Sequence, residues 1–341
     1  MTPDELRDHL QTAIEIEWST IPPYLCALWS IPEGRNELAA TCVRDVVMEE
    51  MLHVTLACNL LNAIGGSPRF TPRPGKPVPA PDYPSFLPHS NDAFVVDLRA
   101  FSREALETFR KIEQPAAIGA PPESDDYQTI AQFYEAVAAA LAALSPGIFV
   151  AGPTPQVDGA FYYGGGGEAF PIHDLPTASE ALDVIIFQGE GIDLSIWDPD
   201  HDVFGEQEEL AHYFRFDELY QERRYVQGDT PSSGPSGDPI LIDYAAIYPM
   251  RPNPKAESYP PGSELRALTE ECNATYSKLL TELEAGFTGT PSALVGGVQT
   301  MIELRYQAIA LMQVPLDDGT GQTAGPAFQW RARSDRQAGV E

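Results

Sequence analysis

The sequence predicts an all-α protein: a four-helix bundle with long loop insertions and additional C-terminal helices. Three observations predict it. Apolar residues recur at steps of three and four along several long stretches, the period of a helix with one buried face. Glu-x-x-His occurs twice, at Glu50-Met51-Leu52-His53 and at Glu209-Leu210-Ala211-His212. Two lone carboxylates, Glu17 and Glu190, stand inside apolar stripes on the helices expected before those motifs. Residues three apart on a helix differ by about 300° and share a face, so a carboxylate and an imidazole so spaced can grip one metal ion. A dimetal site in a bundle core needs two such pairs and one lone Glu from each of two other helices.

Bulk composition narrows the function. At 341 residues the chain is long enough to bury a substantial core. Its formal charge of −29, from 50 acidic and 21 basic residues, argues against nucleic acid and anionic membrane as partners. Cys26, Cys42, Cys58 and Cys272 form no Cys-x-x-Cys and read as small apolar core residues of a reducing compartment. No basic-then-apolar leader opens the sequence, and no stretch reaches the ~18 apolar residues of a membrane span. The expectation is a cytoplasmic protein.

The first helix has Thr2 as N-cap, Pro3 at its first position and Glu5 closing a capping box. Its stripe runs Leu6, Leu10, Ala13/Ile14, Ile21, Leu25, Leu28, and Glu17 fills the gap. Pro22-Pro23 should kink or divide it. The second helix is expected from Asn36 to Gly65-Gly66, with Val43, Val46, Glu50, His53, Ala57, Leu60 and Ile64 inward. Eight prolines within 67–88 make an extended connection. A short strand at 94–98 and a helix at 102–113 follow. A helix over 126–144 carries Glu135 off its stripe, a rival for the third lone carboxylate.

Residues 145–175 read as irregular loop, and their glycine run at 164–167 has no P-loop or Rossmann spacing. Thr177-x-x-Glu180 is expected to open the next helix, over 182–192, with Glu190 between Gly189 and Gly191. The fourth bundle helix should turn Gly205, Glu209, His212, Phe216 and Leu219 inward. A Gly/Ser/Pro-rich stretch at 228–239 precedes two packing helices, 263–286 and 291–312, and a tail. The division expected is a dimetal bundle over 1–226 with its insertion at 65–175. Residues 227–341, the linker, two helices and tail, belong to the same domain.

Glu17, Glu50, Glu190 and Glu209 supply four negative charges, the balance of two divalent cations, and His53 and His212 complete the set. Four buried Glu without cations would be very costly. Carboxylate and imidazole without thiolate favour iron or manganese over structural zinc. A buried, hydrogen-bonded Glu–His pair is the alternative for either motif taken alone.

The order lone Glu, Glu-x-x-His, lone Glu, Glu-x-x-His resembles ferritin-like di-iron carboxylate proteins. More narrowly, the stretch from Ala13 through Glu17 and Pro22-Pro23 to Leu25 resembles the ferritin-like domain of the iminophenyl-pyruvate dimer synthase family. So do Glu49-Glu50-Met51-Leu52-His53 with Asn59 and Asn62, Gln188-Gly189-Glu190-Gly191 and Glu209-Leu210-Ala211-His212-Tyr213. The resemblance covers about residues 5–226. It implies two iron ions and oxidative chemistry of the kind found in violacein- and rebeccamycin-type secondary metabolism, where much longer chains couple indole-pyruvate imines. At 341 residues this chain lacks that extra length, so the substrate and the coupling reaction are not carried over with the fold.

The leading expectation is therefore a di-iron oxidoreductase taking dioxygen and a small aromatic or amino-acid-derived molecule, with a homo-oligomer compatible. Tyr83, Phe86, Phe161, Tyr162 and Tyr163 are candidates to wall a pocket. Iron storage and a metal-stabilised, non-enzymatic binding module are the alternatives.

Overall fold

Helix α1 (Pro3–Ser30) begins as its sequence requires: Thr2 accepts from the Glu5 backbone N–H, and the Glu5 carboxylate accepts from that of Thr2. It runs unbroken through Pro22 and Pro23, against the expectation of a division. Pro23 leaves the carbonyl of Ser19 without its helical donor, and the buried Tyr83 hydroxyl supplies one at 2.7 Å. Helix α2 (Glu37–Ala63) turns back antiparallel: Glu17 meets His53, Thr20 meets Glu50, and Arg7 reaches the carbonyl of Ile64.

The computed structural model describes residues 1–74, 78–162, 164–191, 195–198 and 209–332. Among these the remaining helices are α3 (Arg103–Ile112), α4 (Ile130–Leu144), α5 (Leu175–Glu190), α6 (His212–Gln221), α7 (Glu264–Phe287) and α8 (Ala293–Met312). Two short 3-10 turns complete the set. The strand expected at 94–98 reduces to a single bridge between Val96 and Ser85. Helix α5 starts earlier than its Thr177-x-x-Glu180 motif suggests, because Asp174 is the N-cap and Thr177 its capping-box partner. It ends at Glu190, where Gly191 takes a positive φ of 82°. Helix α6 starts only at His212; Glu209, Leu210 and Ala211 just before it are not helical, and Leu210 is bridged to Trp197. Gly205, Ile192 and Tyr163 lie outside the described residues.

The α1/α2 pair is the central layer. On one side α4 packs on α1 and α5 on α2, while α3 and α6 pack together and close that end. On the other side the α7/α8 hairpin lies against the same two helices. One contiguous hydrophobic core includes residues of both sides, from Leu6 to Phe328. The long connections are pinned to this body. Asn59 exchanges hydrogen bonds with Val157 and donates to the carbonyl of Phe170, and the Glu284 carboxylate accepts from the backbone of Phe70 and Thr71.

Candidate metal centre

The antiparallel register of α1 and α2 brings Glu17 Oε2 to 3.4 Å and Glu50 Oε1 to 4.0 Å from Nδ1 of His53. His212, the first residue of α6, places its Nδ1 3.0 Å from that same Glu50 Oε1 and 3.5 Å from Glu113 Oε2. Two groups of three potential ligands result, Glu17/Glu50/His53 and Glu50/Glu113/His212, each with its donor atoms within 4.8 Å of one another. Glu50 belongs to both. The two imidazoles stack with centroids 5.4 Å apart, and every member is at most 5 % exposed.

Each imidazole is held by its far nitrogen. The Gln188 amide donates to the carbonyl of Gly166 at 3.0 Å, which fixes its orientation and leaves Oε1 to accept from His53 Nε2 at 2.8 Å. His212 Nε2 lies 2.6 Å from Glu49 Oε2, and a carboxylate can only accept. Although burial raises the pKa of Glu49, Arg215, 3.1 Å away, and His212 hold it below the usual carboxylate value. Both Nε2 atoms therefore carry hydrogen, and both Nδ1 atoms turn toward the carboxylates. Gly166 itself is required: with φ of +84°, a Cβ there would lie 2.8 Å from the Glu49 backbone.

The three carboxylates are oriented in the same way. Tyr134 donates to Glu17 Oε1 at 2.5 Å, Thr20 to Glu50 Oε2 at 2.9 Å, and Tyr24 to Glu113 Oε1. In every case the oxygen left over is the one that faces an imidazole Nδ1.

Of the six residues singled out in the sequence, the structure brings together Glu17, Glu50, His53 and His212. Glu209 lies outside the helix, so its spacing to His212 does not put the two on one helical face; its carboxylate pairs with Arg215 at 3.4 Å. Glu190 is at the end of α5, and its two oxygens accept from the backbone N–H groups of Ala116 and Ala131, the latter in the first turn of α4. It shares a small cavity of about 20 Å³ with Glu17, Glu50, His53 and Glu113, but belongs to neither ligand group. Glu135 is exposed, while its neighbour Tyr134 reaches the site. Glu113 was missed. Its signal was present in Leu106, Phe109 and Glu113, a stripe with steps of three and four that ends in a carboxylate.

The electrostatics are those of crowded buried acids. Burial, with Glu113 nearby, pushes Glu50 up to about 7. Burial pushes Glu190 up to about 8, although its two backbone donors work against this. Burial works against a charged imidazole, yet the facing carboxylates raise His53, and raise His212 well above its ordinary value. Protons on these groups supply the positive charge that the carboxylates demand.

A family model described as ferritin-like matches residues 10–221, most of the chain. The chain belongs to the ferritin-like family. Its fold is also that of a solved ferritin-like protein from Caulobacter vibrioides, with 20 % identity and a TM-score of 0.68 over 97 % of this chain and 99 % of that one. No curated protein matches the chain.

The residues fit the metal that a ferritin-like bundle implies. His212 Nδ1 is buried and has no hydrogen-bond partner, although it points at two carboxylates. A buried nitrogen in that position calls for a proton or a cation. The donor set of carboxylate oxygens and imidazole nitrogens, without thiolate, could bind metal ions. Among the described residues no helix is long and apolar enough to cross a membrane.

Proposed function

We propose that this ferritin-like protein is a dinuclear iron oxidoreductase that takes dioxygen and a small aromatic or amino-acid-derived molecule. Manganese is the alternative metal. The observation that carries the reading is Glu50, shared by two ligand groups whose imidazoles both turn Nδ1 inward. Glu17, Glu50 and His53 would hold one ion; Glu50, Glu113 and His212 the other, with Glu190 beside them. Iron bound there supplies redox chemistry with dioxygen.

The chain's own residues do the rest. Tyr134, Thr20 and Tyr24 keep one oxygen of each ligand carboxylate turned inward. Ile112, Ile130, Ile185 and Ile186 wall the adjoining cavity, whose volume of about 20 Å³ suits a molecule of water or dioxygen size. Without metal, burial pushes Glu190 up to about 8, so a proton is favoured beside the ligands until cations bind. The sequence resemblance to iminophenyl-pyruvate dimer synthases suggests only the broad aromatic or amino-acid-derived class and secondary metabolism, not their particular substrate or coupling reaction.

The test is anaerobic loading with iron(II), metal analysis, then mixing with oxygenated buffer while following oxygen uptake and absorbance. Two irons per chain and rapid uptake, stimulated by one of a panel of aromatic amino-acid derivatives, are expected. Fully loaded protein that stays inert to oxygen with the whole panel would overturn the oxidoreductase reading.

A further inference from the structure

Site residues and their sequence neighbours form a pattern on α1 and α2. Glu17, Thr20, Glu50 and His53 face the metal centre; the next residue in each case, Trp18, Ile21, Met51 and Val54, lines a different cavity. One residue turns a helix by about 100°, so the two features sit at the same level of the α1/α2 layer but on different faces. The second cavity lies on the α7/α8 side, closed by Phe287 and Val298 and by the loop residues Phe161 and Tyr162. None of the candidate metal ligands lines it.

We propose that this cavity is a separate binding site for an uncharged, apolar small molecule about the size of a substituted benzene ring. Its free space is about 70 Å³, several times the ~10–15 Å³ that one water needs and about half of the ~150 Å³ apolar cavity that encloses benzene, so a ring here would be part-enclosed and part-exposed at the mouth. The space is far too little for a polypeptide segment or a second chain. The lining holds no Asp, Glu, Lys, Arg or His. Its two hydroxyls are already committed: Thr55 donates to the carbonyl of Met51 at 2.9 Å, and Tyr162 bonds the carbonyls of Gly165, at 2.9 Å, and Met48. A charged or strongly polar ligand would be desolvated here with nothing to pair with. Aromatic faces and the Met51 and Met301 thioethers suit a ring instead.

The site also has a physical link to the centre behind it. Tyr162 bonds the carbonyl of Gly165, the next residue, Gly166, accepts from Gln188, and Gln188 holds His53. The proposal does not rest on the metal reading, since no element of it needs an ion.

The experiment follows the fluorine resonance of fluorobenzene, and the melting temperature with toluene or benzoate, in metal-free and metal-loaded full-length protein. Wild type should broaden the fluorobenzene line in both forms, and toluene but not benzoate should raise the melting temperature. Val298→Trp, at the half-buried rim, fills the entrance and should weaken fluorobenzene binding at least tenfold with metal content unchanged. Met301→Trp is the second blocking variant should the first not fold. No broadening with wild type, equal broadening with a folded blocking variant, or a larger shift with benzoate than with toluene would each overturn the proposal.

Discussion

Tyr134 gives its hydroxyl hydrogen to Glu17 Oε1 at 2.5 Å, and Glu17 turns its other oxygen toward His53 Nδ1 at 3.4 Å. The orientation of the carboxylate thus depends on a residue that belongs to neither candidate ligand group. Loss of such an outer hydrogen bond typically lowers metal affinity ~10–100-fold. Tyr134→Phe is expected to weaken one of two metal sites by that factor while the other is retained, as read by competition with a chromophoric chelator. Equal affinity at both sites would show the hydroxyl to be a bystander.

Glu113 and Glu209 make opposite predictions. Glu113 Oε2 faces His212 Nδ1, whereas Glu209 pairs with the buried Arg215. Glu113→Ala should bind about one metal per chain where wild type binds two. Glu209→Ala should keep both ions and lose stability instead, because Arg215 then has fewer partners. Metal analysis of the two purified variants, with a melting curve for each, decides it. Full loading of Glu113→Ala would remove Glu113 from the ligand set.

The parts of the fold set by local chemistry were legible in the sequence. The Thr2 capping box, the stripes of α1 and α2, and the i, i+3 geometry of Glu50 and His53 all need only helix periodicity. What could not be read depends on tertiary contacts. Pro22 and Pro23 do not divide α1, and one carbonyl they free, that of Ser19, is met by Tyr83, 64 residues away in the chain. Glu209-x-x-His212 looks like its counterpart on α2, but α6 begins only at His212. Glu190 accepts from the first-turn backbone N–H of Ala131 in α4, whose N-cap is Thr129, a contact that no spacing rule separates from ligation. Glu113, the C-cap of the short α3, stands in one of the two buried groups that could hold a metal.

Gly166 predicts a coupling between loop and site. A side chain there would meet the Glu49 backbone at 2.8 Å and would need φ of +84°. The same residue's carbonyl orients Gln188 and, through it, His53. Gly166→Ala should cost about 2–4 kcal/mol from strain and displacement. It should also weaken metal binding, because the loop cannot move without releasing Gln188. Calorimetric melting and metal titration on the same sample test both. A large loss of stability with unchanged metal affinity would break the proposed link.

The last prediction concerns pH and follows from the sign of four shifts. Glu50 moves from 4.5 to about 7 and Glu190 from 4.5 to about 8, so between those limits the native state binds protons that the unfolded state has released. Stability of the metal-free protein must then fall as pH rises from 4.5 to 8. His53 and His212, both raised, act in the same direction: the stability they contribute is fully present below 6.5 and is lost as pH rises through their folded values. Metal binding reverses the slope, since ligands must be deprotonated to coordinate and affinity grows with pH. The gap in melting temperature between metal-loaded and metal-free protein should therefore widen steadily from pH 5 to pH 8. Glu190→Gln should flatten the metal-free curve across the whole interval from 4.5 to about 8, in which Glu190 keeps a proton that the unfolded chain has released. A constant gap across that range would mean that these buried groups exchange no protons with the metal.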